Sequence, residues 1–155
     1  MVDKVSRFDN IDALLERAGQ PLGTTGWHLV DQARINAFAD ATGDHQWIHV
    51  DEERAAAESP FQTTIAHGML TLSLCATFLS ELVKVDDVRL VINAGLNKVR
   101  LRAPVPVGSR VRGVATLLET RRMAAGARVV VQMRVEIEGE LKPASVADWV
   151  LVFHE

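Results

Sequence analysis

Gly68-Met69-Leu70-Thr71-Leu72-Ser73-Leu74-Cys75-Ala76-Thr77-Phe78-Leu79-Ser80-Glu81-Leu82-Val83-Lys84 is the longest apolar-rich run in the chain. At 1.5 Å per residue it makes a helix roughly 25 Å long. Its apolar residues fall on nearly every face, which is the pattern of a helix buried on all sides. With Thr, Ser and Glu81 in it, the run is too short and too polar to span a membrane. Beyond it the period changes from helical to two. Residues 128–138 set Val129, Val131, Met133, Val135 and Ile137 against Val130, Gln132, Arg134, Glu136 and Glu138. That alternation predicts a half-exposed antiparallel strand. Residues 89–102, 110–121 and 146–153 read as three more strands. Pro104, Pro106, Gly108, Gly126 and Gly139 mark the turns between them. A long helix followed by a meander of strands implies an α+β fold rather than a parallel α/β sheet. A single sheet has one core face, so it must curl around the helix to bury it.

Upstream, Asp9 or Asn10 can cap a short helix over residues 11–18, which Gly19 ends. Residues 27–30 read as a strand. Asp31 caps a second helix with an Ile35, Phe38, Ala39 stripe, and Gly43 stops it. Asp51 caps a third over residues 52–58, and residues 59–64 are loop. The 155 residues suit one domain, spanning 1–155. A net charge of −3 argues against nucleic acid as a partner. Cys75 is the single cysteine, which rules out an intrachain disulfide. The charged N-terminus has no apolar core of the kind a signal peptide needs, so a cytoplasmic protein is expected.

The chemistry concentrates in Ala41-Thr42-Gly43-Asp44-His45-Gln46-Trp47-Ile48-His49, which sets a carboxylate and two imidazoles beside a helix stop. Such groups can hold and deprotonate a water. Two pairs share a five-residue spacing: Asp40 with His45, and Asp44 with His49. Asp40 falls in the last turn of a helix and reads as a solvated side chain. A second polar spot, Ile65-Ala66-His67-Gly68-Met69-Leu70, opens the long helix. His67 reads as structural, holding the loop by a hydrogen bond. His28 and His154 lie in strand patterns and read as surface residues. Ser73, Cys75 and Thr77 read as packed small residues rather than nucleophiles. Lys98, Arg100 and Arg102 alternate along one strand, which is either a solvated outer face or an anion contact. No P-loop, Gly-x-Gly-x-x-Gly or paired Cys/His metal set is present. His45 and His49 follow a helix stop, so no metal site is expected there.

Three segments together resemble the MaoC-like dehydratases, a hotdog-fold family that includes the (R)-specific enoyl-CoA hydratases. Residues 43–49 match a Gly-Asp, one residue, Asn-Pro, one residue, His pattern, with Gln46-Trp47 standing where the family has Asn-Pro. Residues 65–70 match the helix entry. Gly95-Leu96-Asn97-Lys98-Val99-Arg100-Leu101-Arg102-Ala103-Pro104-Val105, with Val107-Gly108-Ser109, match a strand and turn. The resemblance implies an antiparallel sheet wrapped round a long central helix, in a homodimer. It implies Asp44 and His49 as the catalytic pair and Gly68 as the oxyanion donor. Lys98, Arg100 and Arg102 become candidate contacts to the phosphates of a coenzyme A or carrier thioester. The activity implied is reversible hydration of trans-2-enoyl-CoA to (R)-3-hydroxyacyl-CoA, with no cofactor beyond the coenzyme A of the substrate. Two alternatives stand beside it. One is a hotdog thioesterase, for which Glu81 is the only carboxylate on the central helix; the other is a non-catalytic acyl-thioester-binding protein.

Overall fold

The structure, a computed structural model, describes residues 5–155; the charged start of the chain lies outside them. Its elements run β1 Ser6–Phe8, α1 Ile11–Leu15, β2 Pro21–Thr24, β3 His28–Val30, α2 Gln32–Thr42, α3 Trp47–Val50, α4 Glu52–Glu58 and α5 Gly68–Leu82. They continue as β4 Val83–Val85, β5 Leu90–Leu101, β6 Ser109–Met123, β7 Gly126–Ile137 and β8 Ser145–His154. An antiparallel sheet of order β2-β6-β7-β8-β5, with β3 also paired to β6, curls about α5 in the hotdog arrangement. The inner residues of β6, β7 and β8, among them Val111, Leu117, Val131, Met133 and Leu151, meet Leu72, Cys75, Phe78 and Leu82 of α5. Phe78 is fully buried. It approaches so closely that a Cβ on Gly113 would lie 2.6 Å from it, so the helix seats where the sheet has no side chain.

Local chemistry sets the helix ends. Asn10, Asp31 and Asp51 each accept a backbone N–H in the first turn of the helix that follows. Gly43 ends α2 at φ 77, a left-handed conformation that costs glycine little.

Several expectations need correction. The first helix stops at Leu15, and β1 and β2 are strands the sequence did not announce. The long helix ends at Leu82 because Val83–Val85 turns into β4, pairing parallel with β1. Nor is α5 buried all round: Met69 is 57 % exposed, and Ser73, Ala76, Thr77 and Ser80 also face outwards. The sheet covers one side of the helix; the other borders a groove shared with β5, an edge strand whose apolar residues are themselves exposed. Ser73 and Thr77 are therefore exposed rather than packed. The meander is interrupted too. β5 precedes β6 in the chain but pairs with β8 at the far side of the sheet. On β7 the outward Val130 is only 3 % exposed, so that strand is less open than its alternation suggested.

Candidate active site

The short helix α3 sits in the segment read as a post-helix loop, and it carries the buried His49. Three contacts hold it over the entry to α5. Gln32 on α2 donates its side-chain N–H to the His49 carbonyl at 2.7 Å. The Ile65 N–H reaches the Ile48 carbonyl at 3.1 Å. The His49 ring donates from Nδ1 to the Ile65 carbonyl at 2.7 Å. With a carbonyl on Nδ1, the proton belongs there, and Nε2 keeps its lone pair. Residues 64–66 are in turn pinned to the turn beyond β5: Ala66 donates to the Val105 carbonyl and Val107 to that of Thr64.

Asp44 lies just past Gly43, exposed, at the rim. Its carboxylate accepts from the Gln46 N–H only at 3.4 Å, longer than an ordinary N–H···O bond. The Asx turn is thus weak and leaves the carboxylate free for other work. Asp44, His49 and His67 each bring a carboxylate oxygen or ring nitrogen within 4.8 Å of the others. His49 and His67 are 6 % and 3 % exposed, and their rings stack with centroids 3.8 Å apart, 24° from parallel. Stacked imidazoles carry their in-plane lone pairs side by side rather than convergent, so this cluster is poorly shaped to close around an ion. Burial pushes the pKa of His49 below its ordinary value. The Ile65 carbonyl opposes that, the neighbouring His67 adds to it and Asp44 works against it.

The second pair of equal spacing does form: His45 Nε2 lies 2.8 Å from an Asp40 oxygen, so Asp40 is bonded rather than merely solvated. Both side chains are more than half exposed, and His45 is raised by that hydrogen bond. Neither residue lines the pocket that His49 faces, and their exposure makes this a surface ion pair. His28 is also not a plain surface residue. It is half-buried against Phe78 and lies 3.0 Å from Glu81, tying β3 to the C-terminal end of α5. Burial lifts the Cys75 thiol to about 12, which keeps it protonated and inert.

Gly68 opens α5 with no side chain capping it. A pocket of about 250 Å³ lies before it, lined by His49, Ala66, Gly68, Leu101, Arg102 and Val105 among others. The three basic residues of the strand do not share one face. A bulge interrupts β5 between Asn97 and Arg100, with Lys98 at φ 50, and Arg102 falls past the strand end. Arg102 reaches the pocket, Arg100 folds onto the Val99 carbonyl, and Lys98 lies 4.0 Å from the buried Asp148. Two residues escaped the sequence reading: Gln32, which positions His49, and Leu101, which overhangs Gly68. Nothing in the helical pattern distinguishes Gln32. Leu101 did carry a signal, being an apolar residue at the end of a strand next to a matched turn.

Residues 14–140 match the family described as MaoC like domain. The chain is 50% identical over 142 residues to 3-hydroxyacyl-thioester dehydratase Z of Mycobacterium tuberculosis, covering 91% of this chain and 93% of that one. It is 49% identical over 138 residues to nodulation protein N of Rhizobium leguminosarum, covering 88% and 86%. Among solved structures, the R-hydratase PhaJ1 of Pseudomonas aeruginosa superposes with a TM-score of 0.72 at 22% identity, covering 89% of this chain and 82% of that one.

Proposed function

The chain belongs to the MaoC-like family, and from that premise we propose that it is a hydro-lyase adding water reversibly to trans-2-enoyl thioesters to give (R)-3-hydroxyacyl thioesters. One observation carries the reading. A carboxylate stands within 4.8 Å of a buried imidazole with a free Nε2, and that imidazole lines one pocket with the uncapped N-terminus of α5. The hydratase and dehydratase names of the relatives support the same reaction class.

In this mechanism Asp44 and His49 hold one water. Its oxygen bonds to C3 as a proton leaves it for the pair, the C2=C3 π electrons move onto C2 and the thioester oxygen, and the pair returns a proton to C2. The Gly68 N–H, at the positive end of α5, meets the thioester oxygen as charge gathers there. Every electron and proton is accounted for without a redox cofactor. Arg102, at the pocket wall, is the best placed of the three basic residues to meet a phosphate of the thioester carrier. The thioesterase alternative is disfavoured by position. Glu81 is engaged by His28 at the C-terminal end of α5, where the helix dipole opposes a developing oxyanion.

Crotonyl-CoA is the test. Loss of the enoyl absorbance without release of free thiol is the expected result. Thiol release would establish a thioesterase, and no change in either signal would leave a binding protein.

A further inference from the structure

His67 takes no proton in the mechanism above, yet it touches three parts of the site. Its Nε2 lies 2.9 Å from the Asp44 carbonyl, so Nε2 carries the hydrogen and donates it. Its ring lies nearly flat on that of His49, and Phe38 packs against it at 5.0 Å. Its backbone is the N-cap of α5, directly before Gly68. Nδ1 is buried with no hydrogen-bond partner among the described residues, so it is left as a bare lone pair. The bond to the Asp44 carbonyl fixes the tautomer with its hydrogen on Nε2.

The contrast in bond lengths at Asp44 points to what this contact does. The Asp44 N–H reaches the Thr42 hydroxyl at 3.4 Å, and its carboxylate accepts from Gln46 at 3.4 Å. Both are weak. The bond from His67 is the one of ordinary length, and it ties this exposed loop to a residue 23 positions away. Without it, the hydrogen bonds left to Asp44 itself among the described residues are the two weak ones.

We propose that His67 is a positioning residue, which holds the Asp44 loop against His49 by donating Nε2–H to the Asp44 carbonyl while its ring packs flat on the imidazole. The consequence for rate rests on the hydration reading of this site; the geometry does not.

Two substitutions separate donor from ring. His67→Gln can place an amide N–H where Nε2 stands. The backbone accepts glutamine, because Gln46 caps α3 at φ −56, ψ 134 and His67 caps α5 at φ −57, ψ 135. His67→Phe keeps a flat ring and has no donor. With crotonyl-CoA, His67→Phe should lower kcat by about 10- to 100-fold, the scale of a misplaced catalytic group, with KM within about threefold. His67→Gln should keep kcat within about fivefold of wild type. An NMR titration of the imidazoles, with His49 assigned through His49→Gln, gives a reading independent of the reaction. The groups facing His49 are His67 and Asp44. Neither variant keeps an imidazole at position 67, so a difference between them reports the donor. In His67→Phe the His49 midpoint should rise as the loop loosens and water enters, and in His67→Gln it should rise less. Wild-type kcat in His67→Phe, or equal losses in the two variants, would overturn the proposal. Should the wild-type protein not hydrate crotonyl-CoA, the functional reading is what fails, and the titration alone decides. Unequal midpoints then uphold the positioning role, and equal midpoints end it.

Discussion

At the scale of single residues, two pairs share one spacing, and the burial of His49 against the exposure of His45 separates them. Asp40 and His45 make a shorter contact than any given to the Asp44 carboxylate, but in open solvent, where an ion pair contributes little. Asp44→Asn and His49→Gln should each lower kcat by about 10²- to 10⁴-fold with the fold intact, whereas Asp40→Asn and His45→Gln should leave it nearly unchanged. Steady-state rates with circular dichroism on the four variants check this, and a reversed ranking would move the site to the surface pair. The pH dependence follows from the depressed pKa of His49, whose ordinary value is 6.5. The base must be neutral, so kcat/KM should hold as pH falls to 6.5 and decline only below it. Stability follows the same sign. Between 6.5 and the lower value in the fold, the unfolded chain binds a proton that the native chain does not, so stability falls as pH falls across that window. An acid limb of kcat/KM centred above 6.5 would contradict the assignment.

At the scale of elements, α3 and α5 are entered in the same way, through an extended residue with no side-chain cap. The family pattern has proline where this chain has Trp47, the first residue of α3. Proline favours that position because its missing N–H is unpaired there anyway. Gln46, at φ −56 and ψ 134, already has the backbone that a residue before proline adopts. Trp47 is steadied instead by the Arg54 guanidinium, 4.4 Å above its ring. Trp47→Pro should therefore fold, because losing a cation–π contact of about 0.5–1 kcal/mol is offset by a similar gain from the fixed φ. Its melting temperature should lie within a few degrees of wild type, with hydration retained; a collapse of either would show that α3 depends on the indole. At the entry to α5, a Cβ on Gly68 would lie 2.5 Å from Leu101 Cδ1, the end of a flexible side chain that is 54 % exposed and can swing aside. Gly68→Val should thus cost little stability but lower kcat/KM by about 10²- to 10³-fold, as when an oxyanion donor is lost. Parallel melting and kinetic measurements test this, and normal hydration by a folded Gly68→Val would remove the oxyanion role.

For the whole molecule, the telling feature is β5. It pairs with β8 along one edge, while Leu90, Val91, Ile92, Leu96 and Leu101 stay 39–54 % exposed. Beside it a groove of about 740 Å³ runs past Ala76, Leu79 and Val83 of the α5–β4 segment. A long apolar edge strand is a template for pairing and calls for cover. We expect two copies to join through β5 into one continuous sheet, as the resemblance implied. Light scattering should give twice the mass of the chain, and Ile92→Lys should shift it toward a single copy. A wild-type monomer at micromolar concentration would rule this out. Because Leu101, which ends β5, and Arg102 just beyond it line the candidate pocket, the monomeric variant should also lose activity. No helix among the described residues is long and apolar enough to cross a membrane.

What the chain determined by itself is whatever depends on neighbours a few residues away. Asp31 and Asp51 cap their helices through bonds spanning three residues, Gly43 stops α2 through its own φ, and the strands after α5 show in their alternation. The candidate pair was marked locally too, since Asp44 and His49 both follow the helix stop at Gly43, five residues apart, in the order of the family pattern. Tertiary structure decided everything that requires a choice of partner. The exposure of one face of α5 is one such choice, and the tie from Gln32 to His49, the stacking of His67 on His49 and the pairing of β5 with β8 join residues 17 to 64 positions apart. An apolar stripe says that a face will be covered, not by what. That choice is made by the burial and hydrogen bonding of the whole sheet at once, and no local period encodes it.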